Sequence, residues 1–416
     1  MIIDGFAGAG GWDEAIRKAG YDGPLVGIEL AEAACRTAEA AGHIRVRADI
    51  AAVPVDLIGE GPVDGLVESP PCPTFSSAGS GAGRKLIALL CEAMTRMARG
   101  DGEVPAGIAE KAEAILFPHA PKPESAEEWA SAQGTMSALS LQPLRWALAL
   151  RPRWIALEQV PEVLPLWQHL AHVLRGLGYS VWCGVLNSAD YGVPQTRRRA
   201  ILIARRDGQA ARAPEATHSE RDDDSLFGSL PRWVSMAEAL GWDGAALKRD
   251  RGRGLAERHG DRESRPMDAP AFTVTCGDGG TGTRMSWVMY TAGQTSGESA
   301  GLVPREPSEP SATITGKGTA AWVHTRPATT VCADPRIGHP GHPGHRDRAG
   351  GEAQFTRESV RVTVQEAAVL QGFRSDYPWQ GTKTQQYQQV GNAIPPPLAA
   401  AVLRRLLIDQ TAGVAA

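Results

Sequence analysis

Ile2-Ile3-Asp4-Gly5-Phe6-Ala7-Gly8-Ala9-Gly10-Gly11-Trp12 is the stretch that decides the fold. The apolar start reads as a strand. The glycines after it let the backbone approach a ligand closely, at the positive end of a helix predicted from about Trp12 to Ala19. Working outward, Leu25–Ile28 reads as a second strand ending at Glu29, and Ala31–Ala41 as a helix. Arg45-Val46 leads to Asp49, and Val63–Val67 is the next apolar run. Strands alternating with helices predict an α/β protein with a doubly wound, mostly parallel sheet.

The turn is not a P-loop, because no Gly-Lys-Ser/Thr follows it, and the later Gly316-Lys317-Gly318 also fails that pattern. Glu29, ending the second strand, suits the hydroxyls of a ribose. These residues therefore predict a nucleoside-containing cofactor, and leave both a nicotinamide dinucleotide and S-adenosylmethionine open.

A second stretch, Glu68-Ser69-Pro70-Pro71-Cys72-Pro73-Thr74-Phe75-Ser76, follows the run ending at Val67. Two prolines cannot donate to a sheet ladder, so the strand ends there. The chain is then stiff where Cys72 emerges, at the carboxyl edge where open α/β sheets bind ligands. Ser76–Gly83 is small and glycine-rich, as a lid would be. A lone cysteine is more commonly a buried structural residue. What favours a nucleophile is the set of motifs around it.

The chain has 416 residues, enough for two domains, and 42% hydrophobic residues, enough for a full core. No apolar run is long enough to span a bilayer. The start, Met1 to Asp4, runs straight into a strand, so no signal peptide is expected. Six cysteines, at 35, 72, 91, 183, 276 and 332, show no paired spacing. Free thiols in a reducing cytoplasm are the expectation. A net charge of −4 gives no global basic field, but Arg197-Arg198-Arg199 is a local cluster, and 248–265 holds seven basic against four acidic residues. Such patches bind phosphate while the whole stays near neutral.

Residues 84–138 read as an insertion: Lys85–Arg99 is an amphipathic helix, whereas 100–135 reads as irregular and partly acidic. A helix over Leu139–Leu150 precedes a strand, Trp154–Leu157, which delivers Glu158-Gln159-Val160 to the same edge as Cys72. A helix (166–177), a strand (180–186) and a turn lead to Gln195-Thr196-Arg197-Arg198-Arg199 and the strand Ala200–Ala204. From about 206 to 354 the chain is rich in Gly, Pro, Thr, Arg and Asp, and reads as a second, smaller, irregular domain. It holds near-repeats in which a proline-led turn enters a short Thr/Val strand, starting at Arg265, Glu306 and Arg326, too unevenly spaced for a solenoid. His339, His342 and His345, even with Cys332, lack the tight pairing of a zinc site, so no metal is expected. Residues 355–416 return to the character of the first domain, with helices over Val364–Gln371 and Leu398–Ile408.

Asp4 to Gly11, Pro70-Pro71-Cys72, Glu158-Gln159-Val160, Gln195 to Arg199 and Gly391-Asn392-Ala393 stand in the order of the motifs of the cytosine-C5 DNA methyltransferases, and Ser359–Phe373 also resembles one. The match touches 1–205 and 355–408. The resemblance implies a Rossmann-like methyltransferase fold over 1–205, a target-recognition domain over 206–354, and a C-terminal segment, 355–416, that returns to the catalytic domain. It implies S-adenosylmethionine as methyl donor, leaving S-adenosylhomocysteine. Phe6, Ala7, Gly8, Gly10, Gly11, Glu29, Asp49, Pro70, Asn392 and Ala393 would line that cofactor. Cys72 would add to C6 of a flipped-out cytosine, Glu158 would meet N3, and Arg197 and Arg199 would hold the base and order the site. Gln195, Arg249, Arg251, Arg253 and Arg258 are the expected DNA contacts. Double-stranded DNA is the implied partner of a monomer, with a cognate restriction endonuclease on another chain and no membrane.

Pro73 and Gln159 depart from the family's commoner glutamine and asparagine, which bears on how the Cys72 loop is held rather than on the reaction. The same chemistry on RNA, a non-catalytic DNA-binding relative and a nicotinamide oxidoreductase are the rival readings. The last leaves Pro70-Pro71-Cys72 and the arginine cluster unexplained.

Overall fold

The computed structural model describes residues 1–55, 61–71, 75, 82–120, 122–220, 230–241, 245–249, 264–266, 270–272, 287–291 and 363–412. Its strands are β1 (Ile2–Gly5), β2 (Leu25–Glu29), β3 (Arg45–Arg47), β4 (Gly65–Glu68), β5 (Trp154–Gln159), β6 (Ser180–Asn187), the two-residue β7 (Gln195–Thr196) and β8 (Arg198–Arg205). Seven of them form one sheet in the order β3-β2-β1-β4-β5-β8-β6. β1 to β5 are mutually parallel, and β8 lies antiparallel between β5 and β6. The short link between β6 and β8 accounts for that reversal, since a parallel return needs a crossover of a dozen or more residues.

Both faces of the sheet are covered. Ile3, Leu66, Ile155, Leu157 and Leu202 face one core, built with α3 (Ile87–Arg99), α6 (Gln142–Leu150) and α7 (Leu164–Gly176). Ile2, Val67, Trp154, Ala156, Ile201 and Ile203 face the other, closed by α1 (Gly11–Lys18) and the helix Pro396–Ala412. α2 (Glu32–Ala40) connects β2 to β3. Strand order reverses at β1 and β4, so a crevice opens at their carboxyl ends. The glycine turn and Ser69-Pro70-Pro71 are the segments that leave those ends.

The reading of 100–135 as irregular is corrected. It holds α4 (Ile108–Leu116) and α5 (Ala126–Ala138), packed as a hairpin. A Cβ at Gly134 would stand 2.6 Å from the Ala109 carbonyl oxygen, so the two backbones nearly touch. α5 buries only small residues, Ala126, Ala130, Gly134 and Ser137, which leave no strong apolar stripe to read, against Ile108, Ala112 and Leu116 of α4. The tail carries a third unread helix, Lys383–Asn392, entered through a capping box of Thr382 and Gln385.

In the middle region, Ala245–Arg249, Ser264–Pro266 and Trp287–Thr291 form a three-stranded antiparallel sheet. Ala271–Phe272, from the first near-repeat, pairs in parallel with β7. The other near-repeats and His339, His342 and His345 lie outside the described residues. Among the described residues no group of side chains could hold a metal, and no helix is long and apolar enough to cross a membrane.

Candidate active site

The turn after β1 bends through left-handed backbone at Phe6 (φ 56°), Gly8 (φ 52°) and Gly10 (φ 106°). Phe6 adopts a conformation that bulky residues rarely take, so the surrounding contacts must hold it there. Ala7 N–H donates to the Ile28 carbonyl at 3.0 Å, and Gly8 N–H to Glu29 Oε2 at 2.9 Å. The other Glu29 oxygen accepts from Ala31 N–H at 2.7 Å. Leu30 beside it is 63% exposed, an apolar face standing open at the edge of the crevice. Asp49, at the end of the β3 segment, is exposed and accepts from Ala51 N–H at 3.0 Å.

The chain's tail packs directly on this turn. A Cβ at Gly11 would lie 2.5 Å from the Ile394 carbonyl oxygen, so only glycine fits there. Tyr377 O–H donates to the Ala9 carbonyl at 2.5 Å. Asn392 is exposed and Ala393 half-buried at the same junction. A Cβ at Gly8, by contrast, would meet nothing within 4 Å. The turn therefore keeps an open side bounded by Glu29, which fits a nucleoside-bearing methyl donor.

β5 carries two adjacent polar side chains, Glu158 and Gln159, on opposite faces. Glu158 sits across from Ile201 in the ladder, which places Arg199 on the same face, diagonally opposite. Arg199 Nε donates to Glu158 Oε1 at 2.9 Å, with side chains only 12% and 5% exposed. Gln159 turns the other way: its amide N–H₂ donates to the Pro70 carbonyl, and its carbonyl oxygen accepts from Val160 N–H at 2.5 Å. Trp12 Nε1–H of α1 donates to Ser69 Oγ at 3.1 Å. The segment leading to Cys72 is thus tied to the strand of the acid and to the helix of the glycine turn.

Cys72 itself and Ser76–Gly81 of the expected lid lie outside the described residues, as do Arg251, Arg253 and Arg258. Arg249 ends a strand of the small sheet. Gln195 and Arg197 turn out to be interior residues. Gln195 is fully buried, and its amide donates to the Leu370 carbonyl at 3.1 Å and Gln371 Oε1 at 2.8 Å. It joins the tail to β7 instead of facing solvent for DNA. Arg197, 2% exposed, donates to the Gly391 carbonyl at 3.0 Å, so it holds the tail at this junction, whereas Arg199 is the arginine beside Glu158.

Sequence reasoning missed Glu68. It is fully buried at the end of β4, and among the described residues neither carboxylate oxygen has a hydrogen-bond partner. Burial pushes its carboxyl well above the usual range, against a smaller opposing pull from Arg145. A carboxyl whose folded pKa is raised stabilises the fold below its unfolded pKa, and that contribution is lost as pH rises through the folded value. Glu68→Gln is therefore expected to match the parent near pH 4.5 and to gain about 1–3 kcal/mol over it at pH 8. Urea unfolding at the two pH values measures this; a difference that does not grow with pH would reject it.

The profile of the C-5 cytosine-specific DNA methylases matches residues 1–94, 130–263 and 286–407. The first unmatched gap falls within the α3–α5 region, and the match extends further into the middle of the chain than the motifs alone suggested. The chain is 24% identical over 424 residues to the type II methyltransferase M1.HphI of Haemophilus parahaemolyticus, covering 98% of this chain and 87% of the relative. It is 23% identical over 428 residues to M.DdeI of Desulfomicrobium norvegicum, covering 97% and 88%. The fold is like that of S. pombe Dnmt2 methyltransferase, with a TM-score of 0.52 at 13% identity over 98% of both chains. With its glycine turn, its carboxyl-edge acid and a profile match spanning most of its length, the chain belongs to the C-5 cytosine-specific DNA methylases.

Proposed function

We propose that the protein transfers a methyl group from S-adenosylmethionine to C5 of a cytosine flipped out of duplex DNA, through a covalent bond between Cys72 and C6. C5 of cytosine is a poor nucleophile. Addition of the Cys72 thiolate to C6 makes the ring enamine-like, so that C5 attacks an electrophilic methyl. The C5 hydrogen then leaves as a proton, and the sulfur departs. The cofactor supplies that methyl on a positively charged sulfur. Glu158 meets the ring at N3 as charge develops there, and Arg199 fixes the Glu158 carboxyl. Glu29 faces the ribose, Leu30 offers an apolar surface to the purine, and Asp49, Asn392 and Ala393 bound the pocket. Because a base inside a duplex cannot reach the thiolate, the cytosine must leave the stack.

One observation carries this reading. Glu158 and Gln159, neighbours on one strand, respectively bear the arginine-held carboxyl and clamp the Pro70 carbonyl two residues before Cys72. Acid and nucleophile loop are therefore set by the same stretch of backbone. The relatives are named type II methyltransferases, which supports a restriction-modification role; a cognate endonuclease on another chain, a cytoplasmic setting and a monomeric enzyme belong to the same proposal. Expression in a host free of cytosine methylation should place 5-methylcytosine in one sequence context across the genome. Genomic DNA without the mark, with methyl transfer to tRNA in vitro, would move the substrate to RNA.

A further inference from the structure

Arg45 lies in the edge strand β3, where an arginine ordinarily points to water, yet its side chain and that of Asp13 are both 0% exposed. It reaches inward across β2 at Gly27, its partner in the ladder. A Cβ at Gly27 would lie 2.2 Å from Arg45 Nη1, so glycine there opens the path. The guanidinium ends beneath the glycine turn. Nη1 donates to Asp13 Oδ1 at 2.9 Å and Nη2 to Asp13 Oδ2 at 2.7 Å, a two-pronged pair with α1. Nε reaches the Gly8 carbonyl and Nη2 the Ala7 carbonyl, each at 3.4 Å, and Nη1 donates to the Ile44 carbonyl at 3.0 Å.

With the Ala7 and Gly8 carbonyls drawn inward to Arg45, the Gly8 N–H is free to point at Glu29. Burial alone would push the Asp13 carboxyl up, but the Arg45 charge and hydrogen bonds, with smaller help from His43 and Asp4, hold it below its usual range. The buried pair spans three elements: β3, the turn and α1. A purely stabilising role would be served as well by apolar packing of similar volume. What an apolar side chain lacks is donors for the two turn carbonyls.

We propose that Arg45 is a positioning residue for the methyl donor: it fixes the glycine turn through the Ala7 and Gly8 carbonyls and so sets cofactor affinity without touching the reacting atoms. This rests on the proposed function, since it takes the turn to be the S-adenosylmethionine site. The test is binding of S-adenosylmethionine and S-adenosylhomocysteine to the full chain by calorimetry without DNA, beside steady-state methylation. Arg45→Lys keeps the charge and loses the fork. It is expected to raise the Kd for both, and the KM for S-adenosylmethionine, by about tenfold or more. The KM for DNA and kcat at saturating cofactor should stay within about twofold, since each 1.4 kcal/mol is a tenfold change and none is removed from those steps. Should Arg45→Lys fail to fold, Asp13→Asn and Gly27→Ala disturb the same strut from its two ends and must give the same split. A folded variant that melts earlier yet binds both ligands as the parent does would overturn the inference. A parent chain that binds neither would overturn the reading beneath it and the inference together.

Discussion

Cys72→Ala abolishes methyl transfer to duplex DNA, a loss of roughly 10⁴-fold or more of the kind seen when a covalent nucleophile is removed. S-adenosylmethionine should still bind, because the turn, Glu29 and the tail are joined by hydrogen bonds among Gly8, Glu29, Ala31, Ala9 and Tyr377. Tritiated methyl transfer measures the loss. A cytosine fluorinated at C5 gives the sharper readout: the fluorine cannot leave as a proton does, so the adduct persists and survives denaturing electrophoresis. The parent should form that adduct, and Cys72→Ala should not. If it still does, the nucleophile is another residue. Among the described thiols, Cys35, Cys91 and Cys183 are poor substitutes, because burial raises each thiol and so disfavours the thiolate.

Glu158 and Arg199 provide the second large effect. Glu158→Gln keeps the shape of the side chain and removes its proton chemistry, so kcat should fall by about 10²- to 10⁴-fold, with a smaller loss of stability than removal of Arg199, because the Gln carbonyl still accepts from the guanidinium. Arg199→Leu should behave differently. It leaves the Glu158 carboxylate in a buried site without that cation, at a cost of about 3–5 kcal/mol of stability. Combining the two substitutions should recover most of the stability, since neither charge remains, and none of the activity. Urea unfolding with single-turnover methylation separates the two effects. A double variant no more stable than Arg199→Leu alone would mean that the pair is not coupled as its 2.9 Å contact indicates.

The parts of this molecule that sequence made legible are those in which the signal is local. Strand-turn-helix alternation over the first 67 residues, the prolines that stop β4 and the acid ending β5 each follow from a few consecutive residues, and the structure has the sheet they imply. The α4–α5 hairpin was hidden because α5 buries only Ala126, Ala130, Gly134 and Ser137, which show no apolar period, and the short stripe of Ile108, Ala112 and Leu116 in α4 stands beside it unread. Arg45 was hidden because its burial depends on a missing side chain at Gly27, 18 positions earlier and one strand over. Gln195 and Arg197 were legible as important residues but not as interior ones. A motif shows which residue types a site needs; only the return of the tail reveals that two of these spend their donors on Leu370, Gln371 and Gly391.

That return has a consequence for vectorial synthesis. Tyr377 and Ile394 complete the surroundings of a turn that begins at residue 6. While the ribosome is still adding residues, the first strands can pair, but the pocket has neither its far wall nor the anchor that Gln371 gives through the Ala393 carbonyl. A nascent chain therefore lacks a finished pocket until the stretch from Gln371 to Ile394 has emerged.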